Sequence, residues 1–273
     1  MEPERYLIVA SEPDPVAAAV ARTYEGAPSI GEAVEGTAIR RIAPGVLLLR
    51  RPGPHLRDDH LDRKLPGSIR AANLPMVFPS IHRSAQGVRC FTAHSLGNLR
   101  PSAESGGSPG QLVPAAPRLM ADALRRLDEA ARTIGLRGTY EATHHGPTLG
   151  APAFFVEVGF GDDPGPSEAA TALIARVVTE LTEDPRDRVA VGIGGGHYCP
   201  HFTELALERH WALGHIASDH SLADLAPGAL DQAFARTPGS EGALLHRARE
   251  VRWIEGARPR LSEASAPRRE RRG

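Results

Sequence analysis

Apolar residues fall into two rhythms along this chain, and each predicts a different element. Short continuous runs read as buried strands: Tyr6–Ala10, Val46–Leu49, Val77-Phe78, Cys90–Ala93, Phe154–Val158 and Arg188–Ile193. Runs of four to eight apolar residues between turn formers are what a sheet covered on both faces requires. Elsewhere the apolar positions recur at steps of three and four. Leu119, Ala123, Leu127, Ala130 and Ile134 share one helical face, with Arg125, Arg126, Asp128 and Glu129 largely elsewhere. A second stripe, Ala170, Leu173, Ile174, Val177 and Leu181, follows Ser167, which suits an N-cap. Two shorter helices are expected, one from Asp14 to Tyr24 with Pro15 in its first turn, the other starting at Pro200 and carrying Phe202, Leu205 and Ala206. Strands and helices alternate, so the pattern predicts a three-layer α/β/α architecture on a largely parallel sheet.

Residues 101–116 break both rhythms. They are rich in Pro, Ser and Gly, and predict a long irregular loop that serves as a connector or as a lid and RNA contact. The expected organisation is one α/β domain over 1–257, followed by an arginine-rich, disordered tail over 258–273 that is either solvated or a phosphate-contacting arm. No apolar run approaches the ~20 residues that span a bilayer, and the charged start Met1-Glu2-Pro3-Glu4-Arg5 lacks a signal-peptide core, so the expected setting is the cytoplasm.

Charge adds little to this picture. The net charge of −1 gives no basic signature for DNA or RNA, and Lys64 is the sole lysine among 32 cationic residues. Arginine suits bidentate phosphate contacts, although a GC-rich coding sequence would produce the same bias. Cys90 and Cys199 are the only cysteines and form no CxxC, which excludes a disulfide framework and a cysteine-only metal site.

Histidine changes the picture most. His144 and His145 end the run Glu141-Ala142-Thr143, just before Gly146-Pro147, and His197 follows Gly194-Gly195-Gly196, with Tyr198 next in line. Imidazole is the side chain best suited to proton transfer and zinc ligation near neutral pH. Neighbouring side chains on a regular strand point to opposite faces. Both His144 and His145 can therefore reach one metal only if the backbone turns between them; the simpler expectation sends one into the site and ties the other to the scaffold. Glu157 interrupts an apolar strand, where a carboxylate needs a partner or an exposed face. It reads as a metal ligand, a general base for water, or an edge-facing residue, and Glu141 shares these alternatives. His82 and His94 each follow a strand-like run, and α/β sites gather at the carboxyl ends of strands. The other histidines, His55, His60, His201, His210, His215, His220 and His246, are expected on the surface or in the scaffold.

The glycine loop fails two familiar tests. His197 replaces the third glycine of a dinucleotide fingerprint, and no Gly-Lys-Ser/Thr follows to make an ATPase-type phosphate loop. What remains is a backbone that a ligand can approach closely, or a tight turn without one. Gly194, Gly195, Gly196 and Tyr198 are thus candidates for holding an anionic substrate group or a developing oxyanion.

Tyr140–Thr148 and Gly192–Pro200 together resemble the archaeal and plant type of D-aminoacyl-tRNA deacylase, whose Glu-Ala-Thr-His-His-Gly-Pro-Thr and Gly-Ile-Gly-Gly-Gly-His-Tyr blocks they match. Leu61-Asp62-Arg63, His82, Thr92-Ala93-His94 with Gly97-Asn98, Ala206-Leu207-Glu208 and Leu213–Ile216 fall in the family's order, so the resemblance spans roughly residues 56–255. Arg83 stands where a serine is more usual, Trp253 lacks the lysine that tends to follow it, and the segment after Arg258 has no counterpart, which leaves the core motifs intact and the RNA contacts open.

The resemblance implies a mixed, largely parallel sheet of the phosphorylase/hydrolase type, similar also to peptidyl-tRNA hydrolase. It implies hydrolysis of the ester between a D-amino acid and the 3'-terminal ribose of tRNA, with D-aminoacyl-tRNA as the partner; the oligomeric state stays open, a monomer among the alternatives. It also implies zinc, for which His82, His94, His144, Glu157 and His197 are the candidate ligands, while Glu141, His144, His145 and His197 are the candidate catalytic residues. No HExxH is present, so spacing alone does not show the metal. The competing readings are a zinc amidohydrolase or peptidase acting on a small molecule, and a non-catalytic RNA binder, for which 5% aromatic content supplies few stacking platforms.

Overall fold

The computed structural model describes residues 3–83, 87–160, 167–247 and 250–255. The arginine-rich segment 258–273 lies outside these residues. Among the described residues, twelve strands form two sheets. The first contains β1 (Tyr6–Ser11), β2 (Ser29–Val34), β3 (Thr37–Ala43), β4 (Val46–Arg51), β5 (Met76–Arg83), β6 (Phe91–Ser95), β7 (Gly138–Tyr140) and β8 (Ala153–Phe160), in the order β2-β3-β4-β1-β5-β8-β6-β7. The second contains β9 (Arg188–Ile193), β10 (Trp211–Ala217), β11 (Ser240–Arg247) and β12 (Glu250–Glu255), in the order β10-β9-β11-β12. Strands β4, β1, β5 and β8 run parallel through the centre, β6 reverses against β8, and β7 lies parallel to β6. The sheet is mixed and largely parallel, as expected.

Alternation within the apolar runs builds the layers. Tyr6, Ile8, Val46, Leu48, Phe154, Val156 and Val158 enter one core, while Leu7, Val9, Leu47, Leu49, Ala153 and Phe155 enter another. Period-two side chains on a strand buried on both faces produce this division. The first core packs under α1 (Pro15–Thr23) and is completed by residues that later helices contribute. The second is closed by α2 (Leu61–Lys64) and α3 (Gly67–Ala72), which supply Leu61 and Ile69. The helices α4 (Pro117–Arg132), α5 (Glu168–Val177) and α6 (Pro200–Glu208) lie on the α1 side. The short α7 (Asp219–Leu222) and α8 (Ala229–Ala235) cover Val191, Ile193 and Ala243 of the second sheet. The result is a three-layer α/β/α fold.

Local expectations hold at the caps. Asp14 accepts hydrogen bonds from the Val16 and Ala17 amides, and Ser167 accepts one from Ala170. Several details differ from the sequence reading, among them the unread strand β10, whose apolar run Gly214 and His215 interrupt, and Leu181, which lies past the end of α5. The hairpin β2–β3 also escaped that reading, because this edge ribbon is largely exposed and turns at Glu35-Gly36 with both φ positive (47° and 83°), a geometry usually marked by Asn-Gly. Helix α4 ends at Arg132, so Ile134 leaves the stripe and is exposed. Asp128 is buried instead, where Arg132, Arg137 and the Gly138 amide satisfy its carboxylate.

The seam between the two sheets positions everything that follows. After β7 the chain runs along both: Glu141 N–H donates to Ala93 of β6, Ala142 N–H to His197, and Thr143 N–H to Ile216 of β10. The histidine pair comes next.

Candidate active site

Five histidines and two glutamates converge at this seam. Strand β5 delivers His82, β6 delivers His94, β8 delivers Glu157, and the crossing segment delivers Glu141, His144 and His145. His197 and Tyr198 arrive from the loop between β9 and α6. The sequence expectation for the histidine pair is corrected here. His145 has φ +44°, so the chain turns between the two residues and both rings enter the cluster, with centroids 4.3 Å apart and 4.1 Å and 4.9 Å from that of His94.

The two rings are oriented alike. Nδ1–H of His144 donates to the Ala142 carbonyl and Nδ1–H of His145 to the Gly146 carbonyl, each at 2.8 Å. These bonds fix the tautomer, and leave each Nε2 as a lone-pair donor. Behind them, Thr143 Oγ1 donates to Nδ1 of His215 at 3.1 Å and accepts from the Ile216 amide at 3.0 Å, while His215 Nε2–H donates to the Val113 carbonyl at 2.9 Å. Thr143 and His215 are both buried, so this network holds the segment in a dry place.

The carboxylates sit against His82 and His94. Glu157 Oε2 lies 3.1 Å from Nδ1 of His82 and 3.7 Å from Nε2 of His94. Glu141 Oε1 lies 3.4 Å from Nε2 of His82 and 3.7 Å from Nε2 of His197. Tyr198 completes this side through its hydroxyl, 3.2 Å from Nε2 of His82.

Burial and neighbouring charge set the protonation of the cluster. Burial pushes the Glu141 carboxyl up to about 7, although the His94 charge opposes the shift. Burial also works on Glu157, but its pairing with His82 and His94 outweighs that and holds it well below the usual carboxylate range. The same pairing holds His82 and His94 above their ordinary value despite desolvation. Burial, reinforced by the His94 charge, lowers His144 well below the ordinary imidazole value, and His145 and His197 to about 4. Those three rings are neutral at pH 7.

This donor set fits a metal such as zinc. His94, His144 and His145 offer ligand atoms within 4.8 Å of one another, as do His82, Glu141 and His144, and His94, Glu141 and Glu157. Nε2 of His94 and both oxygens of Glu141 are buried and make no hydrogen bond. Buried polar atoms normally find a partner, and these three point to a cation. Mixed imidazole and carboxylate ligands suit zinc.

Two cavities open onto the cluster. A cleft of about 660 Å³ runs from it between the start of α1, the segment around His55 and the end of β5. A recess of about 200 Å³ lies on the other side, under Gly97–Arg100 and Ser102–Ser105. They share Ser105, His144, His145 and His197 as a common wall. The irregular stretch 101–116 therefore forms part of the site. It is packed onto the histidine turn so closely that a Cβ on Gly146 would lie 2.2 Å from the Gly107 amide nitrogen, and Asn98 Nδ2 donates to the carbonyls of Gly106 and Ser108.

Placement of the remaining sequence candidates is mixed. Gly194 and Gly195 have φ of +96° and +85°, and their close neighbour is His246: a Cβ on Gly194 would lie 2.1 Å from its carbonyl oxygen. The Gly194 amide donates to Ala217, and Gly194, Gly195 and Gly196 line neither cavity. His55 and His220, expected in the scaffold or on the surface, line the cleft and the recess. Thr143 and Ser105 were not foreseen as site residues. Thr143 lies inside the Glu141–Thr148 motif, and Ser105 inside the Pro-, Ser- and Gly-rich stretch 101–116, where lid residues are one of the two expectations.

A family model described as D-aminoacyl-tRNA deacylase matches residues 71–258. A D-aminoacyl-tRNA deacylase of Thermoplasma acidophilum is 39% identical over 173 residues, which cover 63% of this chain and 67% of that protein. Another, from Natronomonas pharaonis, is 36% identical over 213 residues, covering 74% of this chain and 45% of the relative, and one from Methanoregula boonei is 40% identical, covering 63% and 39%. The chain thus spans from about two fifths to two thirds of the length of these relatives. Among solved structures, a conserved protein of unknown function, AF0625, superposes with a TM-score of 0.73 at 25% identity, covering 90% of this chain and 87% of that one.

Proposed function

The chain belongs to the D-aminoacyl-tRNA deacylase family, and from that premise we propose that it hydrolyses the ester between a D-amino acid and the 3'-terminal ribose of tRNA. In this reaction the oxygen of water joins the carbonyl carbon, the bond to the ribose oxygen breaks, and a proton from the water ends on that ribose oxygen. The products are free D-amino acid and tRNA. The observation that carries the reading is the position of the His-Glu cluster, at the wall that two cavities share, where a two-armed ester would present its carbonyl.

The chain's own groups divide the work by geometry. His144 and His145, with Nδ1–H tied to backbone carbonyls, present lone pairs rather than protons. Glu141, whose oxygens no hydrogen bond occupies, is buried behind the shared wall and is placed to take at Oε1 the proton of water that His197 passes inward. His197 lies 3.7 Å from that oxygen and is half exposed at the mouth, so it is placed to hand the proton on to the ribose oxygen. Tyr198 and Glu157 hold His82 from both ring nitrogens. The amide of Gly194 takes no part, since Ala217 already occupies it.

Zinc would be held by His94, His144 and His145, with His82, Glu141 and Glu157 beside them, and when bound would polarise the carbonyl and acidify water. No helix among the described residues is long and apolar enough to cross a membrane.

The test compares release from D-Tyr-tRNA and L-Tyr-tRNA, with zinc and after chelation. Fast release from the D form alone, lost on chelation and restored by zinc, is expected. Release that withstands thorough chelation removes zinc and keeps the substrate. No D-specific release overturns the activity.

A further inference from the structure

The two cavities differ threefold in volume, about 660 Å³ against about 200 Å³, and they meet at four residues, Ser105, His144, His145 and His197. An aminoacyl ester has two arms of unequal bulk, a nucleoside and an amino-acid side chain, joined at the bond to be cut. Taking the proposed hydrolysis as given, we infer that the terminal adenosine occupies the larger cleft and that the recess receives the side chain of the amino acid, so that Ser102 and its neighbours set which side chains are accepted.

Size argues first. Sites for compact ligands run to roughly 300–1,000 Å³, and the cleft falls in that range while the recess lies below it. A nucleoside needs the cleft, whereas one side chain fits the recess. Surface chemistry agrees. Pro13, Pro15, Pro54, Leu56 and Ile81 give the cleft flat apolar walls suited to the face of a base. Its polar side chains are largely committed: Ser11 donates to Gly53, Ser80 donates to Asp14, and Asp14 caps α1. The recess is lined instead by Asn98, Arg100, Ser102 and Glu104, with Leu99 at its base. Asn98 is bound to the loop carbonyls and Arg100 is paired with Asp224, so the shape of the recess is held by its own side chains.

Handedness then follows from direction. Enantiomers carry identical groups, so selection must come from where those groups point. With the ester at the shared wall and the nucleoside fixed in the cleft, one hand turns its side chain into the recess. The other turns it against the wall that Ser105 and His197 form.

Ser102 tests this, because it lines the recess alone and makes none of the contacts that hold the loop. Ser102→Leu and Ser102→Trp fill the recess in two steps. Wild type and both variants are assayed on D-Ala-tRNA and D-Tyr-tRNA, with adenosine 5'-monophosphate as a competitive inhibitor standing in for the terminal nucleotide. A filled pocket excludes the larger group, so the inference expects kcat/KM for D-Tyr-tRNA to fall about tenfold or more in Ser102→Trp, and less in Ser102→Leu. D-Ala-tRNA should change by less than about threefold, with the inhibition constant of the nucleotide unmoved. Equal losses on both substrates with weaker nucleotide inhibition would put the adenosine in the recess and overturn the assignment. No change in any quantity would show the recess to be unused, with the same result. A wild type that releases neither D-amino acid refutes the deacylase reading itself, which is a separate outcome.

Discussion

Thr143→Val removes one hydroxyl from the seam and should be costly. The hydroxyl does two things in a buried place: it donates to Nδ1 of His215 at 3.1 Å and accepts from the Ile216 amide at 3.0 Å. Valine has nearly the same shape, so packing is kept while both partners lose their bond. A buried polar group left unsatisfied costs about 1–3 kcal/mol, so the pair amounts to about 2–6 kcal/mol. For a domain of this size that corresponds to a melting temperature lower by about 5–15 °C. The Thr143 amide still donates to Ile216, so the strand crossing survives and the loss belongs to the side chain. Thermal and urea unfolding of wild type, Thr143→Val and Thr143→Ser measure it. The serine variant keeps the hydroxyl and should stay within about 1.5 kcal/mol of wild type. The valine variant should also lose activity, because His144 follows directly and its placement depends on this anchor. A melting temperature within about 2 °C of wild type for the valine variant would refute the reasoning, since it would mean that the hydroxyl satisfies neither partner.

Other expectations follow from the same structure. Burial, aided by the Arg236 charge, lowers His215 to about 4 from an ordinary value near 6.5 and outweighs its bond to the Val113 carbonyl, which raises it. The unfolded chain then binds the extra proton between those values, so this stability is complete above pH 6.5 and is lost as pH falls toward 4, by about 3 kcal/mol. Urea midpoints across that interval should fall less steeply for His215→Gln than for wild type; parallel slopes would show that His215 is not the group responsible. Gly146→Ala would place a Cβ 2.2 Å from the Gly107 nitrogen and 2.6 Å from the Gly106 carbonyl carbon, which no rotamer can relieve. The loop must move off the histidine turn, so kcat/KM should drop by about tenfold or more, and near-wild-type turnover would mean the loop is no fixed wall. For the metal, mass spectrometry of the purified protein should find zinc in the wild type and a clear loss in His144→Ala; equal content in both would remove His144 from the ligand set.

Strands β1, β4, β5, β6, β8 and β9 were legible because a sheet buried on both faces writes itself as continuous apolar runs. The starts of α1, α5 and α6 were legible because Asp14, Ser167 and Pro200 are local signals. Strand β10 was missed although it is buried throughout, because Gly214 and His215 interrupt its run. The β2–β3 hairpin was not legible either, since an exposed edge ribbon needs little apolar pattern and its Glu35-Gly36 turn carries only half of the usual signal. Ile134 shows the same limit from the other side. Its spacing continued the stripe, but nothing local told where α4 would stop.

The site divides along similar lines. Residue type, motif and the family resemblance together marked His82, His94, Glu141, His144, His145, Glu157, His197 and Tyr198 as candidates, and the fold brings these side chains into one cluster. Their grouping depended on contacts between strands far apart in sequence. Whether both rings of the histidine pair could share one site depended on a single backbone angle, the positive φ of His145, which alternation along a strand argues against. The glycines illustrate the converse: their sequence shows that something approaches the backbone closely, and only the fold shows that at Gly194 the neighbour is His246. The loop that holds Ser105 was marked by its Pro, Ser and Gly content, but the division into cleft and recess had no local signal, because a cavity is made of what surrounds it. Sequence by itself determined the chemistry this chain can offer, through side-chain type and local period; tertiary structure decided which of those groups meet, since distance in space is set by the pairing and crossing of strands that no short segment contains.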